Sequence, residues 1–314
     1  MMRVRVFSDG QALSGGEALL DTPGPKWVDV QDADEPTMAR LAERYGLHRL
    51  AIEDCLHLDQ RPKLEEYPGH LFIVLQGFSL PEAGLADVTM HELHFFLGPD
   101  WLITVHEHAH HALELVHKRL DADPAGSLGR GVDFVAYLAA DAQVDLAFPV
   151  MEAFTDAIDE LEDQIFEAPT KALLQRIFTL KRTLVLVRKV MSPQRDVVGL
   201  LARRGMAGVA DKTTLYFRDV YDHLVRIYEQ IDTNRDLLGN AMDAWLSVMA
   251  NRTNDVTKQL TILASIFLPL SFIVGFFGQN FEPLGQPPFF VAMLTLMVLV
   301  PAGMIAWFKH KDWW

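Results

Sequence analysis

The sequence predicts an α/β layered domain in the first third, long helices through the middle, and two membrane-crossing helices toward the C-terminus. Three observations carry this. Short β-branched and aromatic runs bounded by Gly, Pro or Asp alternate with helical patterns over roughly the first 120 residues. From Gly131 onward the pattern is helical with few breaks. Residues 259–281 and 283–308 contain no charged side chain, and each run exceeds the ~20 apolar residues that a helix needs to cross a bilayer.

Taken in order, the expected strands are Arg3–Phe7, Trp27–Val30, His70–Phe78, Val88–Leu97 and Trp101–His106. Glu35–Tyr45, Arg49–Leu56 and His110–Leu120 read as helices between them. The segment 141–167 holds nine acidic residues and no basic one; 171–204 holds nine basic residues against Asp196 alone. Two antiparallel helices with opposite charges facing are expected, with Thr170 as N-cap of the second. A third helix starts near Asp211. Phe217, Val220, Leu224, Ile227, Ile231, Asn234, Leu238, Ala241, Trp245 and Val248 follow at alternating steps of three and four, a coiled-coil seam with one polar member. As one helix, residues 212–278 would be about 100 Å long. Such a helix needs partners for its seam, so a homo-oligomer with a helical stalk is expected. The expected divisions are 1–125 (α/β domain), 126–210 (antiparallel helices), 211–258 (stalk), 259–281 (first span), 282–288 (external loop), 289–308 (second span) and 309–314 (basic, aromatic tail).

Composition narrows the function. With 28 basic and 42 acidic residues the net charge is −14, which argues against a nucleic-acid partner. All of that charge lies in residues 1–258, because Glu282 and Asp312 balance Lys309 and Lys311 beyond it. A single cysteine, Cys55, excludes a disulfide framework. No Walker-type glycine loop is present, and no enzymatic constellation; an enzyme is not expected. The N-terminus MMRVRVF lacks the apolar core of a signal peptide. Arg252 and Lys258 precede the first span, Lys309 and Lys311 follow the second, and the turn near Gly278–Pro288 has neither Lys nor Arg. The positive-inside rule therefore expects both termini in the cytoplasm, with Trp307, Trp313 and Trp314 in the inner interface.

Two spans are too few to enclose a pore, so conduction would need several copies around an axis. Steps of three or four on the first span select Asn254, Thr257, Leu260, Ala264, Leu268, Ser271, Gly275 and Gly278, with Thr261 at the border. A ring of such helices makes a narrow, mostly uncharged tube; the same small residues also permit tight helix packing. Gly278-Gln279-Asn280-Phe281-Glu282 ends the span. A ring of Asn carbonyls suits a cation that keeps its water shell, as Mg²⁺ does, and Glu282 would concentrate cations at the mouth.

The stretch NRTNDVTKQLTILASIFLPLSFIVGFFGQNF resembles the hallmark region of the CorA family of divalent-cation channels. Trp27-Val28-Asp29, Glu53-Asp54-Cys55, Arg61-Pro62-Lys63-Leu64-Glu65-Glu66-Tyr67, Leu102–Glu107 and the tail Lys309–Trp314 are also similar to that family. The resemblance implies a homopentamer in the inner (plasma) membrane, with a funnel-shaped cytosolic α/β domain and passive conduction of divalent cations. It places Gly278, Gln279 and Asn280 at the outer mouth, Asn254 in the inner pore and Leu260 one turn further out. It implies regulatory metal at carboxylates, Asp219 in Tyr216-Phe217-Arg218-Asp219-Val220 and, less closely matched, Asp87. No cofactor is implied beyond Mg²⁺ or Zn²⁺ as transported or regulatory ion.

Three departures stand out. Gln279 replaces the family's signature Met, where the zinc-transporting branch usually has Ile. Thr257 stands where Met commonly forms part of an apolar gate. The loop FEPLGQPPFF lacks the usual Pro-Glu-Leu. Besides an Mg²⁺ channel that also takes Co²⁺ or Ni²⁺, a zinc transporter of the same fold, with or without proton coupling, and a non-conducting membrane scaffold or sensor are therefore kept open. The cluster His106-Glu107-His108-Ala109-His110-His111 offers a further cytosolic metal pair, His106 and His110 one helical turn apart.

Overall fold

The structure is a computed structural model and describes residues 1–57, 59–79, 84–85, 88–279, 286–311 and 313. The chain divides into two compact units, residues 1–164 with 170–242, and residues 165–169 with 243–314.

The first unit begins with a seven-stranded sheet. Its strands are β1 (Met2–Ser8), β2 (Gln11–Gly15), β3 (Lys26–Gln31), β4 (Lys63–Tyr67), β5 (His70–Ser79), β6 (Thr89–Leu97) and β7 (Trp101–His106), in the order β2-β1-β3-β7-β6-β5-β4. The β3–β7 pair is parallel; the other neighbours are antiparallel. All five expected strands form, within one or two residues of their expected ends. The two further strands are β2 and β4. All of β2 is exposed, and Lys63-Leu64-Glu65-Glu66-Tyr67 is mostly charged, so neither shows the apolar alternation by which a strand is recognised.

Helices cover both faces. On one, α1 (Glu35–Tyr45) and α2 (Arg49–Leu56) close a core of Val4, Val28, Met38, Leu41, Phe72 and Ile103. Asp34 caps α1 by accepting from Thr37 N at 3.0 Å, and Gly46 ends it in the left-handed region at φ 67°. On the other face lie α3 (His111–Ala122) and α4 (Val132–Asp145). The β3–β7 register sets Asp29 beside Thr104. Thr104 Oγ1 donates to Asp29 Oδ1 at 2.7 Å, Trp27 Nε1 donates to Thr104 Oγ1 at 2.9 Å, and His117 Nε2 of α3 reaches Asp29 Oδ2 at 2.9 Å. Burial opposes the charge on Asp29, yet its contacts to His106, His117 and Thr104 hold the carboxyl well below the usual range. A depressed carboxyl pKa contributes stability above the ordinary carboxylate pKa and loses it as pH falls. Asp29→Ala is expected to cost about 3–5 kcal/mol at pH 7, by leaving two buried imidazoles without their carboxylate. The gap should narrow below about pH 4, where the wild type loses the same contribution. Thermal midpoints in detergent at both pH values check this; equal midpoints at pH 7 would count against it.

The remainder of the first unit is a helical bundle of α5 (Ala147–Glu167), α6 (Lys171–Leu201) and the start of α7 (Asp211–Phe277). The acidic segment is two helices rather than one. Pro149 has no N–H for the Asp145 carbonyl and its ring crowds it, so α4 stops at Asp145 and α5 takes the proline into its first turn. Thr170 caps α6 as expected, accepting from Leu173 N at 3.3 Å. The expected charge pairing across α5 and α6 reduces to one ion pair among the described residues, Arg176–Glu160 at 2.5 Å. Most other α6 bases point outward or, like Arg188, toward Tyr228 and Asp232 of α7. Apolar stripes hold the bundle instead: Phe154, Ile158 and Leu161 of α5, Ile177, Leu184 and Val187 of α6, and the α7 seam from Phe217 to Ala241 are all buried. The polar seam member Asn234 faces Thr155, whose Oγ1 stands 3.3 Å from its amide oxygen.

The second unit holds the remainder of α7, which continues unbroken to Phe277, and α8 (Pro287–His310). Among the described residues, three helical stretches are long and apolar enough to span a membrane. In 132–167 the apolar window is 67% buried inside the protein and its apolar surface is already used. The windows of α7 and α8 are 11% and 0% buried, so these two leave apolar surface for lipid or for other copies.

Candidate ion pathway and metal site

The residues of α7 between Asn254 and Phe277 have two different faces. Ile262 and Ile273 are buried, and Ser265, Ile266, Pro269, Leu270 and Phe277 are partly covered. On α8 the covered positions are Met293, Met297, Val300, Pro301, Met304 and, fully, Phe308. Each set repeats every three or four residues, so each helix turns one face inward within this unit. The sequence-selected stripe lies on the other side of α7. Ser271 is nine residues from Ile262, about two and a half turns, which is the opposite face. Asn254, Thr257, Leu260, Ala264, Leu268, Ser271, Gly275, Gly278 and Gln279 are all exposed, Leu260 by 62% and Leu268 by 72%.

Threonines modify the N-terminal end of this face. Thr253, Thr257 and Thr261 donate their hydroxyl protons to Met249 O, Thr253 O and Thr257 O at 2.8–3.0 Å. With each proton committed to the helix, the hydroxyls offer only lone pairs outward, which suits a cation. At the C-terminal end, Gly278 N still donates to Val274 O at 2.9 Å, while Gln279 N reaches Phe276 O at 3.3 Å, a tightened last turn. A Cβ on Gly278 would stand 3.0 Å from the Val274 carbonyl. Asn280, Glu282 and Asp87 lie outside the described residues, as do most of the expected external loop and Trp314.

A second constellation joins α4 to α7. Asp141 and Asp145 sit one turn apart on α4, and His223 faces them from α7. One ligand atom from each lies within 4.8 Å of the others, and among the described residues no other group of three His, Cys, Asp or Glu does this. His223 Nδ1 is 3.1 Å from Asp145 Oδ1, and its Nε2 is 4.0 Å from Asp219 Oδ2, one turn earlier. Burial, then the Asp145 charge, pushes the Asp141 carboxyl up to about 6, with Asp219 adding to the rise and His223 opposing it. The Tyr137 hydroxyl, 3.4 Å from Asp141 Oδ2, is itself pushed up to about 12, chiefly by burial. This is concentrated negative charge that a cation would relieve. Asp219 was expected from the family resemblance; Asp141, Asp145 and His223 were not, although Asp141 and Asp145 form an i,i+4 acidic pair in the sequence.

The expected pairing of His106 with His110 does not form a ligand set. The rings stand edge to face at 5.6 Å. His106 Nδ1 donates to the His108 carbonyl at 2.7 Å, and its Nε2 stands 3.3 Å from Asp29 Oδ1, an ion-pair distance without hydrogen-bond alignment. Burial opposes protonation of His106, but Asp29 outweighs it and raises the imidazole pKa. His106 is thus committed to Asp29, and His110 is left without it.

The family model described as CorA-like Mg²⁺ transporter protein matches residues 23–310. The chain belongs to that family. Among curated relatives, the cobalt/magnesium transport protein CorA of Thermotoga maritima is 33% identical over 93% of this chain and 84% of its own length. A zinc transport protein ZntB of Yersinia enterocolitica is 24% identical over 95% of this chain and 90% of its own. The complete structure of the CorA magnesium transporter from Methanocaldococcus jannaschii superposes with a TM-score of 0.89 at 23% identity, covering 100% of this chain and 99% of that one. That superposition shows the shared CorA fold: a mixed sheet, a long helix and C-terminal apolar helices. The CorA-like family is one of divalent-cation transporters, a membrane rather than an enzymatic role, and the chain is such a transporter.

Proposed function

We propose that five copies of this chain form a channel for divalent cations, Mg²⁺ first among them, with both termini in the cytoplasm. The observation that carries the reading is the uncovered stripe on α7. A face of small, apolar and back-bonded hydroxyl residues, turned away from the covered side, is what helices gathered around an axis would present to a path between them. In this reading Gly278, Gln279 and Asn280 meet the hydrated ion and Glu282 attracts it. Asn254, Thr257, Ala264, Ser271 and Gly275 line the path, and Leu260 and Leu268 constrict it. Metal bound by Asp141, Asp145 and His223, with Asp219 and Asp87 as further carboxylates, favours the closed state by its greater affinity for it. No energy-coupling domain is needed: a divalent ion gains about 4.6 kcal/mol per 100 mV, twice the single-charge value.

Gln279 in place of the signature Met, together with similarity to a zinc transporter, supports zinc as the second reading. Flux into liposomes of Mg²⁺, Co²⁺, Ni²⁺ and Zn²⁺, with and without Asn280→Ala, tests both. Mg²⁺ flux reduced at least tenfold by the substitution supports the first reading; the loss of one charge-assisted hydrogen bond, about 1.5–3 kcal/mol, has that size. Zn²⁺-only flux that follows a pH gradient supports the second. Silence toward all four ions would leave a non-conducting scaffold.

A further inference from the structure

The opposite charges of α5 and α6 are hardly used within the chain. Steps of three and four place Glu152, Asp156, Asp159, Glu160 and Asp163 on one exposed face of α5, and α5 contains no base. On α6 the same spacing gathers Lys181, Arg182 and Lys189 around Phe178, Val185 and Leu186, and no acid occurs between Lys171 and Arg195. Each face extends over about three turns, and both lie in the first unit. Among the described residues one ion pair, Arg176–Glu160, joins the two helices. Glu152, Asp156, Lys181 and Arg182 are in no ion pair among the described residues, and all four are exposed.

Charge turned outward is commonly just solvated. Two observations point to a partner here. Phe178, Val185 and Leu186 are 51%, 56% and 43% exposed, an apolar strip on the side of a helix that solvation alone would keep polar. The second is complementarity: the α6 face of one copy and the α5 face of another agree in length and oppose each other in sign. Contact between two different patches of identical chains is heterologous, the kind that closes into a ring. The Arg176–Glu160 pair also fixes the level at which the antiparallel helices pass, and rotation about an axis along the bundle keeps that level in the next copy. Counted in opposite directions from this pair, Lys181 and Arg182 come level with Thr155 and Phe154, within one turn of Glu152 and Asp156.

We propose that the α6 face of one copy docks on the α5 face of the next, Lys181 and Arg182 against Glu152 and Asp156. Phe178, Val185 and Leu186 shield these pairs from water. The docking rests on the reading of several copies around an axis and adds which surfaces join them. Complementary charges of this kind orient the partners and exclude wrong ones more than they tighten the contact.

Full-length protein in detergent tests this in two ways. Chains carrying Asp156→Cys are co-produced with differently tagged chains carrying Arg182→Cys and treated with a short bis-maleimide; the native Cys55 is buried and does not compete. Covalent heterodimers should form in the mixture, and neither variant should cross-link alone. Separately, Lys181→Glu with Arg182→Glu, and Glu152→Lys with Asp156→Lys, should each lower by several degrees the temperature at which the oligomer dissociates, followed by light scattering. A chain carrying all four substitutions should regain the wild-type value, which loss of folding could not produce. Absence of the cross-link, or of the recovery, in protein of unchanged oligomeric mass overturns the docking while leaving the ring of copies standing, with lipid headgroups or an acidic protein as the cover of α6. Monomeric wild-type protein overturns both.

Discussion

Ala264→Trp is expected to reduce divalent-cation flux at least a hundredfold, while Ala306→Trp leaves it within about twofold. Both alanines are exposed in spanning helices. Ala264 lies on the α7 stripe; Ala306 lies on the side of α8 opposite the covered Met297, nine residues away. In the proposed pentamer, five indoles at one level of a narrow tube leave no room for an ion and its water. One indole per chain facing lipid near the interface is well accommodated. A hundredfold loss corresponds to about 2.7 kcal/mol of added barrier, a small demand for complete steric closure. Flux in reconstituted liposomes decides it. Normal flux in Ala264→Trp, in protein that still inserts and assembles, would move the pathway off this face.

The second large effect concerns closure. Asp141→Asn with Asp145→Asn is expected to raise the internal Mg²⁺ concentration that closes the channel about tenfold, equivalent to about 1.4 kcal/mol of binding preference. The substitutions keep side-chain size and remove the charge that makes the cluster electronegative. Asp219→Ala, at a side chain further from the ligand set, should shift closure less; its nearest approach to His223 is 4.0 Å. Flux recorded against internal Mg²⁺ gives the closing concentration directly. An unchanged value in the double variant would remove the cluster from the account of closure while leaving the pathway itself untouched.

Much of this molecule can be read from its sequence, and the failures have physical reasons. The seam from Phe217 to Ala241 was legible because burial along a helix leaves a period, and the spans because lipid tolerates no charge. β2 and β4 carry no such period: one is wholly exposed and the other is a charged edge. The break at Leu146 depends on a single proline three residues later, easily passed over in an acidic run. The facing charges of α5 and α6 are the opposite lesson. Opposite composition does not produce contact when apolar stripes already set how two helices meet. The stripe of α7 was found by spacing alone, and spacing does not tell it from a packing face; the covered positions around Ile262 and Ile273 put it on the uncovered side of this chain, open to other copies, lipid or an ion path. The Asp141, Asp145 and His223 cluster is not legible in the sequence because its members come from segments about 80 residues apart, joined only by the fold. His106 misled for the complementary reason: it is close to His110 in sequence but tied to Asp29 across the sheet.

The contact between Asn234 and Thr155 restricts what α7 can do mechanically. If the rod slid along α5 by one turn, the buried Asn234 amide oxygen would lose the Thr155 hydroxyl, a hydrogen bond worth about 0.5–1.5 kcal/mol. Lengthwise piston strokes are thereby disfavoured, whereas leaning and flexing keep the two polar groups together.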